Sequence, residues 1–480
     1  MTGRKTNNRA FFKDFSWYFL GSFVPLLIGF AKTPIFTRHF GKEDYGFLGI
    51  ISITFTYLGM VLFSWIGSCI WRFYSRYESE NKLKHLYSNL GLLYFVSMLV
   101  LVFIALIWYG FSNNYLVKQL IFYSFFQILL NQLFLFYMVL IRLKGKAKFY
   151  TIFQTVRAFL SISIALIMVF WLNYNISALV SSLVVLDVLV LLFLFAYNPA
   201  KVAVNYQLIS KGKLKELISY GAVGLILNIC LLVITTSDRY IIAWFGNLGD
   251  VGIYDQIYKL GQISVVALVT VFFNTINPLL LKQLETNFDS SVQLIRKYIK
   301  FFIIYGLPVI IYLSIFSKDI ATLFLGKEFR VGYTILPFIF FAAYFQGLSN
   351  FYELRLKFSS KYKKLSFIAI AAAVINIITT TIFVGLYGYK WAAIATLFSY
   401  ILLIAMLHYY DREILSTFKT KKNLYYKIVI VLTLQLLIYF LTDNLFQLQF
   451  FTKLAMGFLF ILSYYLLFKK QLLSVDLPMV

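Results

Sequence analysis

The sequence predicts an all-α polytopic membrane protein. Apolar residues make up 61% of the 480 residues, charged residues only 13%, and the mean hydropathy is +0.80. Apolar runs of about 18 or more residues, long enough to cross a bilayer as helices, are separated by short charged spacers. Soluble globular chains do not have this composition. Stretches such as Leu92 to Tyr109 also lack the alternation of an outer-membrane barrel strand.

The chain divides into about fourteen apolar spans. In chain order they are 12–36, 46–70, 86–109, 118–141, 149–172, 177–197, 217–244, 252–281, 298–317, 332–353, 365–385, 391–410, 425–442 and 451–468. The first span is too long for a signal-peptide core and lacks an A-x-A cleavage pattern, so we expect a retained helix. An even number of spans places both termini on the same side of the membrane.

The basic residues indicate which side that is. Counting residues at span ends with the adjoining connection, 32 of the 44 Lys and Arg residues lie in the termini and even-numbered connections, 8 in the odd-numbered connections and 4 inside spans. By the positive-inside rule, both termini are cytoplasmic. The net charge of +25 is therefore mainly a topology signal. Nucleic-acid binding would need a soluble basic domain, which the chain lacks.

A repeated segment indicates an internal duplication. The segment Phe40 to Gly46 recurs loosely about 205 residues later as Phe245 to Gly252, and both copies are Gly-rich connections between spans. Related halves of this kind are typical of transporters. The predicted parts are a six-helix bundle at 1–198, a cytoplasmic linker at 199–216, a second six-helix bundle at 217–410 and a terminal helix pair at 411–480.

The connections predicted to lie outside the cell are short, about 4 to 14 residues each. A glycan polymerase or ligase usually needs a sizeable outer loop, so we expect no enzymatic activity. Cys69 and Cys230 lie on separate spans and form neither a zinc spacing nor a disulfide framework, so they are interpreted as packing residues. We expect no metal and no cofactor.

Three segments carry a family resemblance. Thr33 to Gly46 is similar to the family's helix 1 exit and opening of helix 2, Ser237 to Tyr254 to its helix 7 to helix 8 connection, and Phe324 to Pro337 to its helix 9 to helix 10 connection. With their order and the span count, the chain resembles the polysaccharide (O-antigen) flippases of the multidrug, oligosaccharidyl-lipid and polysaccharide exporter superfamily.

The resemblance implies two helical bundles around a V-shaped cavity that opens alternately to each side of the bacterial inner membrane. The expected substrate is an undecaprenyl-pyrophosphate-linked oligosaccharide, moved from the cytoplasmic to the outer leaflet during polysaccharide biosynthesis. Membrane lipids and glycan polymerase or assembly proteins are the implied partners. Spans 13 and 14 resemble the pair thought to accommodate the lipid tail. A scaffold for a glycan-assembly complex remains open as a role without transport.

An anionic head group needs cations inside the membrane. Arg157 lies on a polar stripe with Tyr150, Gln154 and Ser161, one face of a helix. It is a candidate cavity cation or, alternatively, the partner of Asp187. The remaining candidate cations, with the alternatives left open, are Lys32 (or snorkelling), Arg239 (or a pair with Asp238), Lys259 (or a pair with Asp255) and Arg72. We expect Lys32 and Arg239 at matching depth on opposite walls.

Sugar hydroxyls need polar partners along the path. Candidate lining residues, each of which could instead make an ordinary interhelical hydrogen bond, are Gln154, Ser161, Asn131, Gln127, Asn228, Asn350 and Asn376. Asp187, Asp238 and Asp255 are the acids available for coupling to a proton or sodium gradient. Pro25 is a candidate kink in helix 1.

Two related functions compete with this interpretation. A multidrug and toxin extrusion antiporter would use membrane carboxylates for cationic drugs, but the first span has Lys32 and no deeply placed acid. A peptidoglycan lipid-precursor flippase moves a substrate with the same pyrophosphate and tail. The motifs favour the polysaccharide branch.

Overall fold

The described part of the chain contains only helices and their connections. A computed structural model describes residues 17, 20, 21, 23–197, 202–286, 288–358, 362–413, 422–446 and 450–473, and no strand occurs among them. The predicted start of the first span at residue 12 and the linker residues 199–201 lie outside these residues. So do the basic residues within 1–10, 359–361 and 414–421.

The helices follow the order of the predicted spans. They are α1 (Phe23–Phe36), α2 (Lys42–Ser79), α3 (Leu83–Phe111), α4 (Tyr115–Leu143), α5 (Ala147–Trp171), α6 (Ala178–Tyr197), α7 (Lys211–Thr236), α8 (Asp238–Phe245), α9 (Leu248–Thr286), α10 (Phe288–Ile315), α11 (Ser317–Phe324), α12 (Leu336–Phe358), α13 (Tyr362–Tyr387), α14 (Trp391–Tyr410), α15 (Lys422–Phe446) and α16 (Phe450–Leu473).

Eleven of the described helices are long and apolar enough to cross a membrane. Three shorter apolar segments, Phe23–Phe36, Ile430–Leu441 and Ala455–Phe468, coincide with the predicted first and last two spans. The prediction of an all-α membrane protein with about fourteen spans is therefore confirmed. The chain is an integral multi-pass membrane protein.

Residues that tolerate a left-handed backbone end several helices. Asn81 and Asn173 have φ of 56° and 52°, and Gly145 and Gly388 have φ of 67° and 85°; all four lie between successive helices. Asparagine and glycine are the residues that adopt this conformation most easily. At the start of α4, the Asn114 side chain accepts hydrogen bonds from two backbone N–H groups. Local chemistry thus sets these helix ends.

The seventh predicted span is broken. The structure starts α7 at Lys211 and divides the predicted span at Ser237, between α7 and α8. The Thr235 hydroxyl donates to backbone carbonyls within its own helix. The Arg239 guanidinium donates a hydrogen bond to the Thr235 carbonyl at 2.6 Å. Side chains that compete for backbone groups bend helices. Hydropathy alone could not predict this break.

The chain divides into two compact units. The first comprises the described residues within Met1–Gln256, Leu325–Phe329 and Thr380–Tyr389, and the second those within Ile257–Phe324, Arg330–Thr379 and Lys390–Val480. The division into bundles and linker made from the sequence stays a prediction. Each unit is described by itself below.

Within the first unit, the two copies of the repeated segment contact each other. A Cβ placed on Gly46 would overlap the Leu248 carbonyl, and a Cβ on Gly252 would overlap the Lys42 carbonyl. Leu248 and Lys42 are the first residues of α9 and α2, so each glycine packs against the first turn of the other helix. Only glycine permits backbones to approach this closely.

The third segment of the family resemblance, Phe324 to Pro337, contacts the region where the two copies of the repeated segment meet. The Gly326 N–H donates to the Thr37 hydroxyl at 3.0 Å, and the Lys42 N–H donates to the Glu328 carboxylate at 2.9 Å. The Phe329 ring lies edge-on to the Tyr45 ring, with 5.3 Å between centroids. The three segments that carry the family resemblance therefore form one junction, next to the end of α1 that carries Lys32.

In the second unit, the terminal helices pack on α10. Ile304 of α10, Leu432 of α15, and Tyr464 and Phe468 of α16 form a buried apolar cluster. Near it, the Phe302 and Tyr344 rings stack with centroids 4.8 Å apart. Aromatic burial of this kind dominates core energetics.

Candidate functional site

The Arg157 guanidinium is held from three sides within the first unit. Its Nε and Nη2 donate to Asp187 Oδ1 on α6 at 2.9 and 2.5 Å. Nη2 also donates to Asn131 Oδ1 on α4 at 3.0 Å. The guanidinium carbon lies 4.2 Å from the ring centroid of Phe134 on α4. The structure thus brings together candidates that the sequence placed separately on three spans.

Arg157 and Asp187 differ in exposure. The Asp187 side chain is fully buried, whereas that of Arg157 is 18% exposed. Asp187 Oδ2 makes no hydrogen bond with any described residue. A buried carboxylate is stable as a charge only beside a cation, so Arg157 both neutralises Asp187 and keeps part of its own surface accessible. Asp187 is the pairing partner that the sequence analysis left open.

Lys32 approaches the same face of α5 from α1. Its Nζ donates to the Ser161 hydroxyl at 2.7 Å, and Ser161 in turn donates to the Ala158 carbonyl at 2.7 Å. Ser161 lies one helical turn beyond Arg157. We call Lys32, Asn131, Arg157, Ser161 and Asp187 the cation cluster. It carries two cations and one carboxylate, so an anion beside it would meet net positive charge.

Three glutamine side chains of α4 and α5 have no hydrogen-bond partner in the described part of the chain. Gln127 and Gln132 on α4 and Gln154 on α5 are half-buried, and none of them hydrogen-bonds with a described residue. An amide away from water without a hydrogen bond is costly. These side chains therefore belong to a surface that is wet or that accepts a polar ligand.

Arg239 has different surroundings from Lys32. It is 2% exposed, and it donates to Asp238 Oδ1 at 2.6 Å and to Asp255 Oδ1 at 3.4 Å. Asp238 also accepts a hydrogen bond from the Tyr254 hydroxyl at 2.5 Å. Two carboxylates surround one buried cation, which is the structural pairing that the sequence left as an alternative. The surroundings of Lys32 and Arg239 therefore differ, and their expected position at matching depth on opposite walls stays a prediction.

The other predicted residues lie in several places. Arg72, Asn228 and Lys259 are exposed, and Asn350 is half-buried. Asn376 is fully buried and donates to the Ser399 hydroxyl at 3.0 Å, an interhelical bond of the ordinary kind. Pro25 lies in the first turn of the described α1. The roles of these residues stay predictions.

Sequence reasoning missed two polar residues of this region. Gln132 follows Asn131 directly and therefore points about 100° away from the predicted polar face of α4. Arg142 was interpreted only as a topology signal, yet its guanidinium lies 5.2 Å from the Trp71 ring and 5.4 Å from the Tyr150 ring. Only the structure shows that Arg142 contacts Tyr150, the residue with which the α5 stripe begins.

The described residues include no group of three or more His, Cys, Asp or Glu that could hold a metal ion. The cation cluster offers charged and polar groups to a ligand. Fixed cations, amides and hydroxyls can bind an anion and its attached polar groups.

Comparisons with known proteins agree with this architecture. A model of the family described as polysaccharide biosynthesis protein matches residues 11–283, more than half of the chain. No curated protein has a significantly similar sequence. A structure of the lipid II flippase MurJ in an inward closed conformation superposes with a TM-score of 0.73 at 16% identity, covering 95% of this chain and 99% of that one.

Multidrug transporters share the fold at lower similarity. The Vibrio cholerae MATE transporter VcmN in its bent form gives a TM-score of 0.55 at 13% identity, covering 87% of this chain and 99% of that one. An inward-facing MATE family transporter of the MOP superfamily gives 0.54 at 16% identity, covering 85% and 96%. At these identities the likeness shows a common fold.

Proposed function

This chain belongs to the polysaccharide biosynthesis protein family, and from that premise we propose that it is a flippase for a lipid-linked oligosaccharide. In this proposal, the substrate is an oligosaccharide on undecaprenyl pyrophosphate, and alternating access carries its head group from the cytoplasmic to the outer leaflet. The protein binds and moves its substrate and makes no covalent change to it.

The cation cluster is the observation that carries the proposal. A pyrophosphate with its sugars is charged and strongly hydrated, and it cannot cross about 30 Å of hydrocarbon without a polar path. Lys32 contacts the face of α5 that carries Arg157, and a single carboxylate, Asp187, balances only one of the two positive charges. The surplus positive charge suits a phosphate, and Arg157 is partly accessible.

The half-buried glutamines of α4 and α5 support the sugar part of the substrate. Each amide offers one acceptor oxygen and two N–H donors, the complement of a sugar hydroxyl. Gln127, Gln132 and Gln154 retain this capacity with respect to the described residues. A hydrophobic solute would leave these groups unsatisfied, whereas a glycan would bond to them.

Orientation and partners follow from the same premise. In this proposal both termini lie in the cytoplasm of a bacterial cell, which the distribution of Lys and Arg supports. The exposed apolar side chains of α15 and α16 suit contact with lipid, including the substrate's tail. Asp187 Oδ2 is a candidate proton acceptor for coupling, because it is buried and has no described partner. Glycan polymerase and assembly proteins are the proposed partners.

The peptidoglycan lipid precursor is the second candidate substrate. The match with the lipid II flippase structure covers nearly both chains, and a pyrophosphate would meet the same two cations. A multidrug antiporter is disfavoured, because a cationic drug would be repelled by Lys32 and Arg157.

The test is transport in reconstituted vesicles. A fluorescent undecaprenyl-pyrophosphate oligosaccharide is placed in proteoliposomes, and its exposure is followed with a membrane-impermeant quencher. The double variant Arg157→Gln with Asp187→Asn removes the cation without stranding the buried acid. We expect it to flip the lipid about 10- to 100-fold more slowly, since one charge-assisted contact is worth about 1.5–3 kcal/mol.

The matched control is Arg76→Gln, which changes an arginine that is 61% exposed and paired on the surface. This control should flip at the wild-type rate. A wild-type rate in the double variant would refute the role of Arg157. If wild-type vesicles move labelled lipid II but not the labelled oligosaccharide, the second candidate replaces the first.

A further inference from the structure

A crevice between α2 and α4 in the first unit is lined by a mixture of aromatic and polar groups. It opens beside the π-helical turn Met60–Ser64, and its volume is about 330 Å³. This volume lies in the range of small-molecule sites, about 300–1,000 Å³, and π-helical turns are frequent at functional sites. We propose that this crevice binds the pyranose ring joined to the phosphate of the substrate, an inference that rests on the proposed glycan substrate.

The aromatic walls suit the apolar face of a sugar ring. Trp71 and Phe136 line the crevice from α2 and α4, and the Trp71 side chain is 47% exposed. Tyr94 on α3 completes the wall, held by its hydroxyl bond to the Leu129 carbonyl at 2.6 Å and by the Phe63 ring, whose centroid is 5.0 Å away. A pyranose presents a patch of C–H groups that packs on such flat faces, as other apolar groups do.

The polar groups suit its hydroxyls. Gln132 and Ser68 line the crevice, and neither hydrogen-bonds with any residue that the structure describes. The Gln132 amide can donate and accept, and so can the Ser68 hydroxyl. A half-buried amide gains most from a ligand that satisfies it. One side of the crevice thus offers stacking and the other offers hydrogen bonds.

A cation stands beside the aromatic wall. The Arg142 guanidinium lies 5.2 Å from the Trp71 ring and 5.4 Å from the Tyr150 ring. Tyr150 begins the α5 stripe, and Arg157 follows seven residues later, about 10 Å along the helix axis. A sugar in the crevice would place its phosphate near Arg142, from where the stripe leads to the cation cluster. The site therefore contacts the sugar in the crevice and the phosphate beside Arg142.

Other crevices have a different lining. The one between α3 and α4 is lined by residues such as Val102, Leu106 and Phe126. The one between α10 and α16 is lined by residues such as Ile304, Pro308 and Leu462. Their linings are apolar side chains and tyrosine, which suits acyl chains. The amide and hydroxyl of the α2–α4 crevice would be left unsatisfied by an acyl chain, so a sugar is the favoured occupant.

The test is direct binding of free sugars. Full-length protein in nanodiscs is mixed with methyl glycosides of glucose, galactose and N-acetylglucosamine, and binding is measured by saturation-transfer NMR. Trp71→Ala and Gln132→Leu should each weaken binding of at least one glycoside about tenfold, the loss expected when a ligand hydroxyl or ring loses its partner. Trp171→Ala, at a tryptophan that is 82% exposed on α5, is the matched control and should bind as wild type does.

Two results would overturn the inference. One is that no glycoside binds the wild-type protein. The other is equal binding by wild type and both crevice variants, with thermal unfolding showing that all are folded. The proposed function is judged separately: glycoside binding that needs Trp71, in a protein that flips no labelled oligosaccharide, would keep the sugar site and remove the flippase. Normal flipping without glycoside binding would support the flippase and refute the sugar site.

Discussion

Removing the cation of the Arg157–Asp187 pair should destabilise the protein more than removing its anion. After Arg157→Ala, Asp187 would remain fully buried with one oxygen newly unpaired and the other already without a described partner. After Asp187→Asn, Arg157 would keep the Asn131 acceptor, the Phe134 ring and its 18% exposure. The two single variants therefore leave charges in unequal surroundings.

The magnitude follows from the burial. Stranding one member of a buried ion pair costs about 3–5 kcal/mol, which corresponds to about two to four powers of ten in the ratio of folded to unfolded protein. Asp187→Asn should cost less, because the remaining cation is partly accessible. The double variant Arg157→Gln with Asp187→Asn should lose less than Arg157→Ala alone, since neutral amides can bond to each other.

Equilibrium unfolding in mixed micelles, followed by tryptophan fluorescence, measures these differences. The single variants Arg157→Gln and Asp187→Asn together with their double variant form a double-mutant cycle. The expected coupling between the two positions is favourable and at least about 1 kcal/mol, above the usual value for an exposed pair. If Arg157→Ala costs no more than Asp187→Asn, or if the cycle shows no coupling, the buried pair does not have the unequal surroundings described here.

Other parts of the fold give further expectations. Gly46→Ala and Gly252→Ala should each lower the free energy of unfolding by about 1–3 kcal/mol, because the new Cβ overlaps a backbone carbonyl. Gly224→Ala, with open space at that position, should raise it by about 0.5–1 kcal/mol; a Gly46→Ala protein as stable as wild type would contradict the close approach. Arg355→Ala should cost about 3–5 kcal/mol, since it removes the cation from two carboxylates. The exposed Arg76→Ala should cost about 1 kcal/mol or less in the same equilibrium-unfolding assay, and equal losses would mean that the Arg355–Asp411 pair is not buried.

The fold was predictable because bilayer thickness sets a single length scale. An apolar stretch of about 20 residues has few alternatives to a membrane helix, so the order and positions of the spans follow from composition. The break at Ser237 was not predictable, because it depends on the Arg239 side chain reaching the Thr235 carbonyl. Hydropathy measures how apolar a window of residues is, and it does not detect a side chain that hydrogen-bonds to one backbone carbonyl.

The candidate site was predictable in its members and much less in its contacts. Arg157 and Asp187 stood out because charges inside spans are rare, but whether they meet depends on how α5 and α6 are rotated about their axes. The pairing of Arg239 with Asp255 joins residues 16 positions apart across a helix break. Arg355 with Asp411 joins two spans whose ends carry many charges. Which charged residues form ion pairs depends on how the helices pack, and the sequence alone does not give that packing.

The reciprocal glycine contact bears on how the two copies of the repeat can differ in sequence. Gly46 and Gly252 meet as equivalent residues do across a twofold axis, in an isologous contact. Three residues further on, the equivalent positions are Gly49 and Asp255, and a Cβ on Gly49 would lie 3.6 Å from the Asp255 carboxyl carbon. In a dimer of identical chains, both positions would hold the same residue: two aspartates would repel each other, and two glycines would leave Arg239 with Asp238 as its one remaining described acid. Joining the copies in one chain removes that symmetry constraint, so a small residue in one copy makes room for an acid in the other.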